Sequence, residues 1–343
     1  MRWARESREV AVVSSRSPLQ SGDSGILRRV SELQPKKSGG VPQGGVCIMG
    51  ARGLLGTALQ RELRAQGVEV TAYGRGPAAP AEGRAHWDPA ADELDREPLS
   101  GAHAVINLAG EDLSAGRWTA RRKQALRKSR VGSTDYLARA LAQLPQPPEV
   151  LVNASAVGFY GDRGDDAVDE DSPAGHGFLA ELCADWEAAT EPASAAGIRV
   201  VTLRYGVVLT PEGGALAKML PAFRMGVGGR LGSGNQRFPW VSLTDAVAAT
   251  LFVIEQEQLR GPVNVVAPES INNRHFTRLL GRTLKRPTVL PVPAFALRMG
   301  LGQMAEDALL VGANVRPRRL EVVGFRFEYP RIEDALGAML GVD

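Results

Sequence analysis

Lysine, histidine and cysteine are all scarce in this chain of 343 residues, which has six, four and two of them. Cys47 and Cys183 lie far apart, and His86, His103, His176 and His275 are scattered. No spacing resembles a zinc site or a disulfide framework, so no metal is expected and a reducing compartment, the cytoplasm, is. Also missing is any apolar run near the roughly 18–20 residues that cross a bilayer. The best, Ala246–Ile254, has nine, so no membrane association is expected. The Arg/Ser-rich start lacks the apolar core of a signal peptide, and Glu6, Glu9, Asp23 and Glu32 argue against a transit peptide. The net charge of +3 is unevenly placed: residues 1–44 hold eight Lys/Arg and four Asp/Glu, so the remainder sums to −1. The pI near 9 thus belongs to the leading segment and does not mark a nucleic-acid-binding domain.

What is present suits a globular protein of about two domains: 44% of residues are hydrophobic and 23% charged. Residues 1–44 show no sustained period and read as a disordered extension. From Gly45 the pattern changes. Val46–Met49 is a short apolar run ending in glycine, Thr57–Gln66 carries Leu59 and Leu63 on one helical face, and Val68–Tyr73 is a second strand. This strand–turn–helix–strand unit has the length of a right-handed crossover. The Pro/Ala-rich stretch 76–90 reads as a loop. Further strands are expected at Ala104–Leu108, Val150–Ala154, Val200–Tyr205 and Val263–Val266. Helices are expected at Thr119–Leu144, Phe178–Ala196, Leu216–Phe223 and Thr244–Glu255. Continuous apolar strands alternating with helices imply an α/β fold, a Rossmann-type doubly wound parallel sheet. The expected division is a Rossmann domain over 45–286, a small, mostly helical substrate-side domain over 287–336 and a tail over 337–343.

The sharpest motif is Gly50-Ala51-Arg52-Gly53-Leu54-Leu55-Gly56, a GxxGxxG that ends the first strand and opens the first helix. Gly50 makes the tight turn, Gly53 lets a pyrophosphate approach the backbone, and Gly56 lets helix and sheet pack closely. The amides of the helix start, around Leu54 and Leu55, attract the anion. NAD sites place an acid at the end of the second strand, where it would repel a 2′-phosphate. Here the residues are Tyr73-Gly74-Arg75, and Arg52 stands in the glycine turn. Two guanidiniums and no nearby acid predict NADP(H); the alternative for Arg75 is a solvated loop position.

Together with later segments these residues resemble the extended short-chain dehydrogenase/reductase superfamily. More narrowly, the resemblance is to its atypical "epimerase family protein" branch, which has a C-terminal domain of unknown function. The segments are Asn107-Leu108-Ala109-Gly110-Glu111, Arg117-Trp118-Thr119, Ser155 through Asp162, Leu203 through Leu209, and Pro221 through Asp245 with Pro239-Trp240. Arg286-Pro287, Leu297-Arg298, Pro317 and Gly324-Phe325 complete the set. The resemblance implies that Asn107, Ala109 and Gly110 line the nicotinamide side. It also implies that the Ser155 hydroxyl bonds the substrate just past the next strand, where open α/β sheets bind ligands. Asn107 as a turn residue and Ser155 as a cap remain the alternatives.

Superfamily chemistry rests on Tyr-x-x-x-Lys, whose ammonium lowers the tyrosine pKa. Four positions after Tyr73, Tyr136, Tyr160, Tyr205 and Tyr329 stand Pro77, Ala140, Gly164, Leu209 and Glu333. None is lysine. In the helix where the pair belongs, counting back from Glu187 meets Cys183 and Leu179. Tyr160, five residues after Ser155, is the catalytic candidate, with a structural role as its alternative. Glu111, Arg204 and Trp240 are candidate substrate contacts, Arg204 neutralising an anion. Glu181, Asp185 and Glu187 read as a solvated helix face, and Asp245 as a first-turn acid favoured by the helix dipole. The basic stretch Arg117–Arg130 reads as a solvated face, or as a phosphate contact through Lys123 or Arg130. Gly226–Gly234 is either a mobile connector or a lid. The expectation is an NADP(H)-dependent oxidoreductase or epimerase-like enzyme, monomeric or homodimeric. Its substrate would be a small molecule (a nucleotide sugar by analogy), with nucleic acid not a partner. The alternative is a non-catalytic NADP(H)-binding redox sensor.

Overall fold

The computed structural model describes residues 44–76 and 78–341. The extension expected over 1–44 lies outside these residues except for Gly44, as do the last two positions of the expected tail. The chain opens with β1 (Val46–Met49), α1 (Leu54–Ala65), β2 (Val70–Gly74), β3 (Arg84–Asp88), the two-residue β4 (Glu93–Leu94) and β5 (Ala104–Asn107). A long helix follows in two parts, α2 (Ala120–Arg127) and α3 (Ser133–Ala142), joined by a π turn over Lys128–Gly132. Next come β6 (Val150–Ala156), β7 (Ala167–Val168), α4 (Phe178–Ala188), α5 (Glu191–Ala195) and β8 (Arg199–Tyr205). After these come β9 (Val207–Thr210), α6 (Gly214–Arg224), β10 (Trp240–Ser242), α7 (Leu243–Glu255) and β11 (Gly261–Val265). The chain closes with α8 (Asn273–Thr283), α9 (Ala294–Leu301), β12 (Asn314–Val315), α10 (Arg318–Val322) and α11 (Ile332–Leu340).

The main sheet has the order β11-β8-β6-β5-β1-β2-β3-β4 and is parallel except for the β3–β4 pair. Successive strands move outward from β1 through β2 and β3, then restart on the other side of β1 with β5. The crevice at this reversal is where a doubly wound sheet binds its ligand. β1 shows why the strands read as unbroken apolar runs. Val46 and Ile48 pack with Leu59 and Leu63 of α1, while Cys47 and Met49 pack with Leu137 and Leu141 of α3. Both faces are covered, so no polar alternation survives.

Three expectations need correction. Residues 84–88, expected within a loop, form β3: Ala85 and Trp87 are buried, but the charged neighbours that alternate with them obscure the pattern. The tail expected over 337–343 is helical as far as Leu340. The boundary at 286/287 does not separate two cores. Leu209, Leu216, Phe223, Trp240 and Phe276 share one cluster with Ile332, Ala335 and Leu336 of α11, so the substrate-side lobe draws on both sides of that boundary.

Candidate functional site

The glycine turn is built by close backbone approach. Gly50 has φ +75°, and a Cβ there would stand 2.8 Å from the carbonyl of Leu108. The Gly53 amide donates to the Gly50 carbonyl at 3.0 Å, and a Cβ on Gly56 would lie 2.5 Å from that same oxygen. α1 then starts at Leu54 with Gly53 as its cap, no side chain capping it and no acid in its first turn. Its amide hydrogens and partial positive charge are left for an incoming anion. A groove of about 390 Å³ opens here, lined by Arg52, Gly53, Leu54, Thr57, Arg61 and Glu212 among others. The exposed Arg52 reaches across the end of β2: its Nη2 lies 3.2 Å from where a Cβ on Gly76 would be. Arg75 is exposed on the same connection. No carboxylate stands in Tyr73–Gly76, and His86 holds the turn through Nδ1 and the Gly76 carbonyl, 2.9 Å apart. A cationic, acid-free strand end with an uncapped helix start suits the phosphates of an adenine dinucleotide, a 2′-phosphate included.

Asn107 is completely buried. Its Nδ2 donates to Thr134 Oγ1 (2.9 Å) and Asn153 Oδ1 (2.7 Å), and its Oδ1 accepts from the Ala109 amide at 3.2 Å. It therefore shapes the Leu108–Gly110 turn that meets Gly50, in which Ala109 is half-buried and Gly110 exposed.

Beyond β6 the arrangement departs from expectation. Ser155, 3% exposed, donates through Oγ to Glu187 Oε1 at 2.7 Å. Arg204 grips both oxygens of that carboxylate, Nε to Oε1 and Nη2 to Oε2, each 2.8 Å. Arg204 Nη1 donates to the Tyr160 hydroxyl at 2.9 Å, and that hydroxyl donates to Asn264 Oδ1 at 2.7 Å. The result is a continuous buried chain: serine, carboxylate, guanidinium, phenol, amide. Tyr160 is completely buried, and burial pushes its phenol up to about 12. Its expected catalytic place beside the substrate is therefore withdrawn, because both hydrogen-bonding capacities of the phenol are spent inside the protein. Arg204 is corrected likewise. Burial alone would lower its pKa, but the Glu187 contact raises it, so its charge is matched internally rather than offered to a substrate anion. Trp240 is corrected too, lying completely buried in the lobe core.

The main residue that sequence reasoning misplaces is Glu187. Its side chain is 14% exposed instead of lying on a solvated face. It stands four positions after Cys183, in the helix where the resemblance places the usual pair. That spacing was the available signal. Cys183 itself is buried, which pushes its thiol up to about 12.

Arg130 is turned inward by the π turn and is 8% exposed. Its guanidinium lies 5.2 Å from the Trp186 ring centroid, donates through Nη2 to the Glu111 carbonyl at 2.9 Å and packs against Gly110. Its buried Nη1 has no partner. Glu111, at the mouth, pairs with Arg122. Lys218 of α6 reaches Asp112 at 3.1 Å, tying the loop after β5 to the substrate-side lobe. Partial burial works to raise the Asp112 carboxyl, but Ser114 and Lys218 outweigh it and hold the group at about 2. Gly226–Gly234 is not a free connector: Val292 donates to the Arg230 carbonyl at 2.8 Å and Gly232 donates to the Val292 carbonyl at 2.9 Å. Asp245 does more than favour a dipole. It is buried and accepts from Ser242 and from the amides of Glu328 and Tyr329.

Residues 46–267 match the model of the NAD dependent epimerase/dehydratase family, and residues 292–339 match a domain of unknown function (DUF1731). The chain is 45% identical over 292 residues to the epimerase family protein Mb2239 of Mycobacterium bovis, covering 85% of this chain and 96% of that protein. It is similar in structure to human epimerase family protein SDR39U1 (isoform 2) crystallised with NADPH. There the TM-score is 0.80 at 35% identity, covering 87% of this chain and 99% of that one. A nucleoside-diphosphate sugar epimerase from Corynebacterium glutamicum matches with TM-score 0.74 and 36% identity, covering 92% of this chain and 61% of that one.

Proposed function

The chain belongs to the NAD dependent epimerase/dehydratase family, and from that premise we propose that it is an NADP(H)-dependent oxidoreductase or epimerase-like enzyme acting on a small molecule. The carrying observation is Arg52 laid over the acid-free end of β2, with Arg75 beside it and an uncapped helix behind. Two guanidiniums there reward a 2′-phosphate with charge-assisted bonds, and the human relative crystallised with NADPH supports the same cofactor. Gly50, Gly53, Leu54, Leu55 and Gly56 would hold the pyrophosphate, while Ala109 and Gly110 would lie on the nicotinamide side. A nicotinamide bound there accepts or delivers a hydride at C4.

The proton belongs to this chain's own residues. Ser155 is the residue placed to hydrogen-bond the substrate oxygen that loses or gains it, and its contact with Glu187 fixes the direction of the serine hydroxyl. Arg204 keeps Glu187 oriented and electrostatically matched. The substrate class favoured by the Corynebacterium glutamicum relative's name is a nucleoside-diphosphate sugar. Free, buried cysteines suit a cytoplasmic location, and no helix among the described residues is long and apolar enough to cross a membrane.

Fluorescence titration with NADPH and NADH tests the cofactor. The wild type should prefer NADPH, and Arg52→Gln/Arg75→Gln should weaken NADPH about tenfold or more while leaving NADH unchanged. Equal affinity for both, or for neither, overturns the assignment. A non-catalytic NADP(H) sensor is the second reading, favoured by the missing Tyr/Lys pair and the buried Tyr160 phenol. NADPH binding without turnover on a panel of carbonyl compounds and nucleotide sugars would select it.

A further inference from the structure

A second cavity, of about 350 Å³, lies away from the cofactor groove and shares no lining residue with it. It is lined by Arg230, Arg274, Arg278, Thr277 and Thr288, three guanidiniums and two hydroxyl-bearing side chains with no carboxylate among them. Two of the arginines are held in place by backbone oxygens. Arg230 Nη1 donates to the carbonyls of Gly232 (2.7 Å) and Ser233 (2.9 Å), and Arg274 Nη2 donates to that of Ser233 at 3.0 Å. These neutral acceptors orient the guanidiniums without cancelling their charge. The Arg278 side chain, one turn beyond Arg274 on α8, makes no hydrogen bond or ion pair among the described residues. The walls come from segments joined backbone to backbone, the ladder between 230–232 and Val292, so the cavity is a built concavity and not a chance meeting of flexible side chains.

The sequence supplies an independent observation. Residues 213–244 contain four Lys/Arg and residues 270–305 contain six, and neither segment has a single Asp or Glu. These two acid-free segments build the cavity. They also carry six of the seven large apolar side chains left exposed among the described residues, including Leu290, Phe295 and Met299. Uncompensated cations in a concave site favour an oxyanion with several acceptor atoms, and guanidiniums match phosphate oxygens in pairs.

We propose that this cavity is an anion site for a phosphoryl or pyrophosphoryl group, presented by a soluble organic phosphate or by a lipid headgroup. It stands apart from the cofactor assignment. The test is calorimetric titration of the full chain with inorganic pyrophosphate in the presence of excess NADPH, which occupies the cofactor groove. Arg274→Gln/Arg278→Gln, both exposed positions whose folding is checked by circular dichroism, should bind about tenfold or more weakly. Arg282→Gln, on the same helix outside the cavity, should bind as the wild type does. No heat with pyrophosphate overturns the proposal. So does binding that survives Arg274→Gln/Arg278→Gln while NADPH fills the cofactor groove. Cosedimentation with phosphatidylcholine vesicles, with and without phosphatidic acid, separates the sources. Sedimentation that requires phosphatidic acid, Arg274 and Arg278 assigns the headgroup, and its absence alongside pyrophosphate binding assigns a soluble phosphate. Because NADPH is titrated separately, failure of one site leaves the other result readable.

Discussion

Arg204 decides what Glu187 is for. A guanidinium 3% exposed needs a buried counter-charge, and Glu187 supplies it while also accepting from Ser155. Glu187→Ala should therefore lower stability in urea unfolding by about 3–5 kcal/mol, because it leaves a cation alone in the core. Tyr160→Phe strips the donor from Asn264 Oδ1 and should cost about 1–3 kcal/mol with NADPH affinity unchanged; an affinity loss would return the phenol to the active site. Restoring the superfamily lysine by Glu187→Lys would bury two cations together, so the conventional pair is barred while Arg204 remains. Both thiols are pushed up by burial to about 12. Alkylation needs the thiolate, so iodoacetamide at pH 8 should label neither cysteine in the native protein and both in denaturant. At this scale the sequence displayed the glycines, whose turn-forming role follows from their type. It hid Glu187, a helix residue whose role depends on Arg204, a partner 17 positions away on β8. Tyr160 misled because an attractive residue type says nothing about which way a phenol points.

At the scale of elements, the strands of the main sheet were legible wherever both faces are apolar, as in β1, β5 and β6. β3 was hidden by its charged half, and β9 and β10 lie in short ladders that periodicity does not resolve. The π turn between α2 and α3 was not legible at all, since one extra residue in a helical ring leaves no mark in hydrophobic spacing. Yet it sets the facing of Arg130, which a regular helix would rotate elsewhere. The Lys218–Asp112 tie links the loop after β5 to α6. Lys218→Gln should raise amide exchange in residues 111–116, while global stability changes by less than about 1 kcal/mol because both side chains are exposed. The Asp112 carboxyl is held at about 2 against an ordinary value of 3.8. The tie's contribution is thus complete above the ordinary value and is lost as pH falls through the lower one. Loop protection in the wild type, corrected for the intrinsic pH dependence of amide exchange, should fall only in that acid window.

The whole molecule holds together through a lobe core drawn from both sequence-matched regions. Leu336, completely buried against residues of α6 and α8, should cost about 2–5 kcal/mol on replacement by alanine. Calorimetry should show one cooperative unfolding transition; two separate ones would mean that the lobes melt independently. Fold class was legible from alternation of strand and helix, whereas the domain boundary was not, because a shared core is a contact between distant segments. The two acid-free segments have a further consequence. Residues 45–343 sum to −1, so the ten cations gathered in those segments leave eleven negative units on the rest. Such separation gives the tumbling particle a permanent dipole moment, which exerts a torque on it as charged molecules approach. It should meet anions lobe first, and encounter rates should fall steeply as added salt shortens the reach of that field.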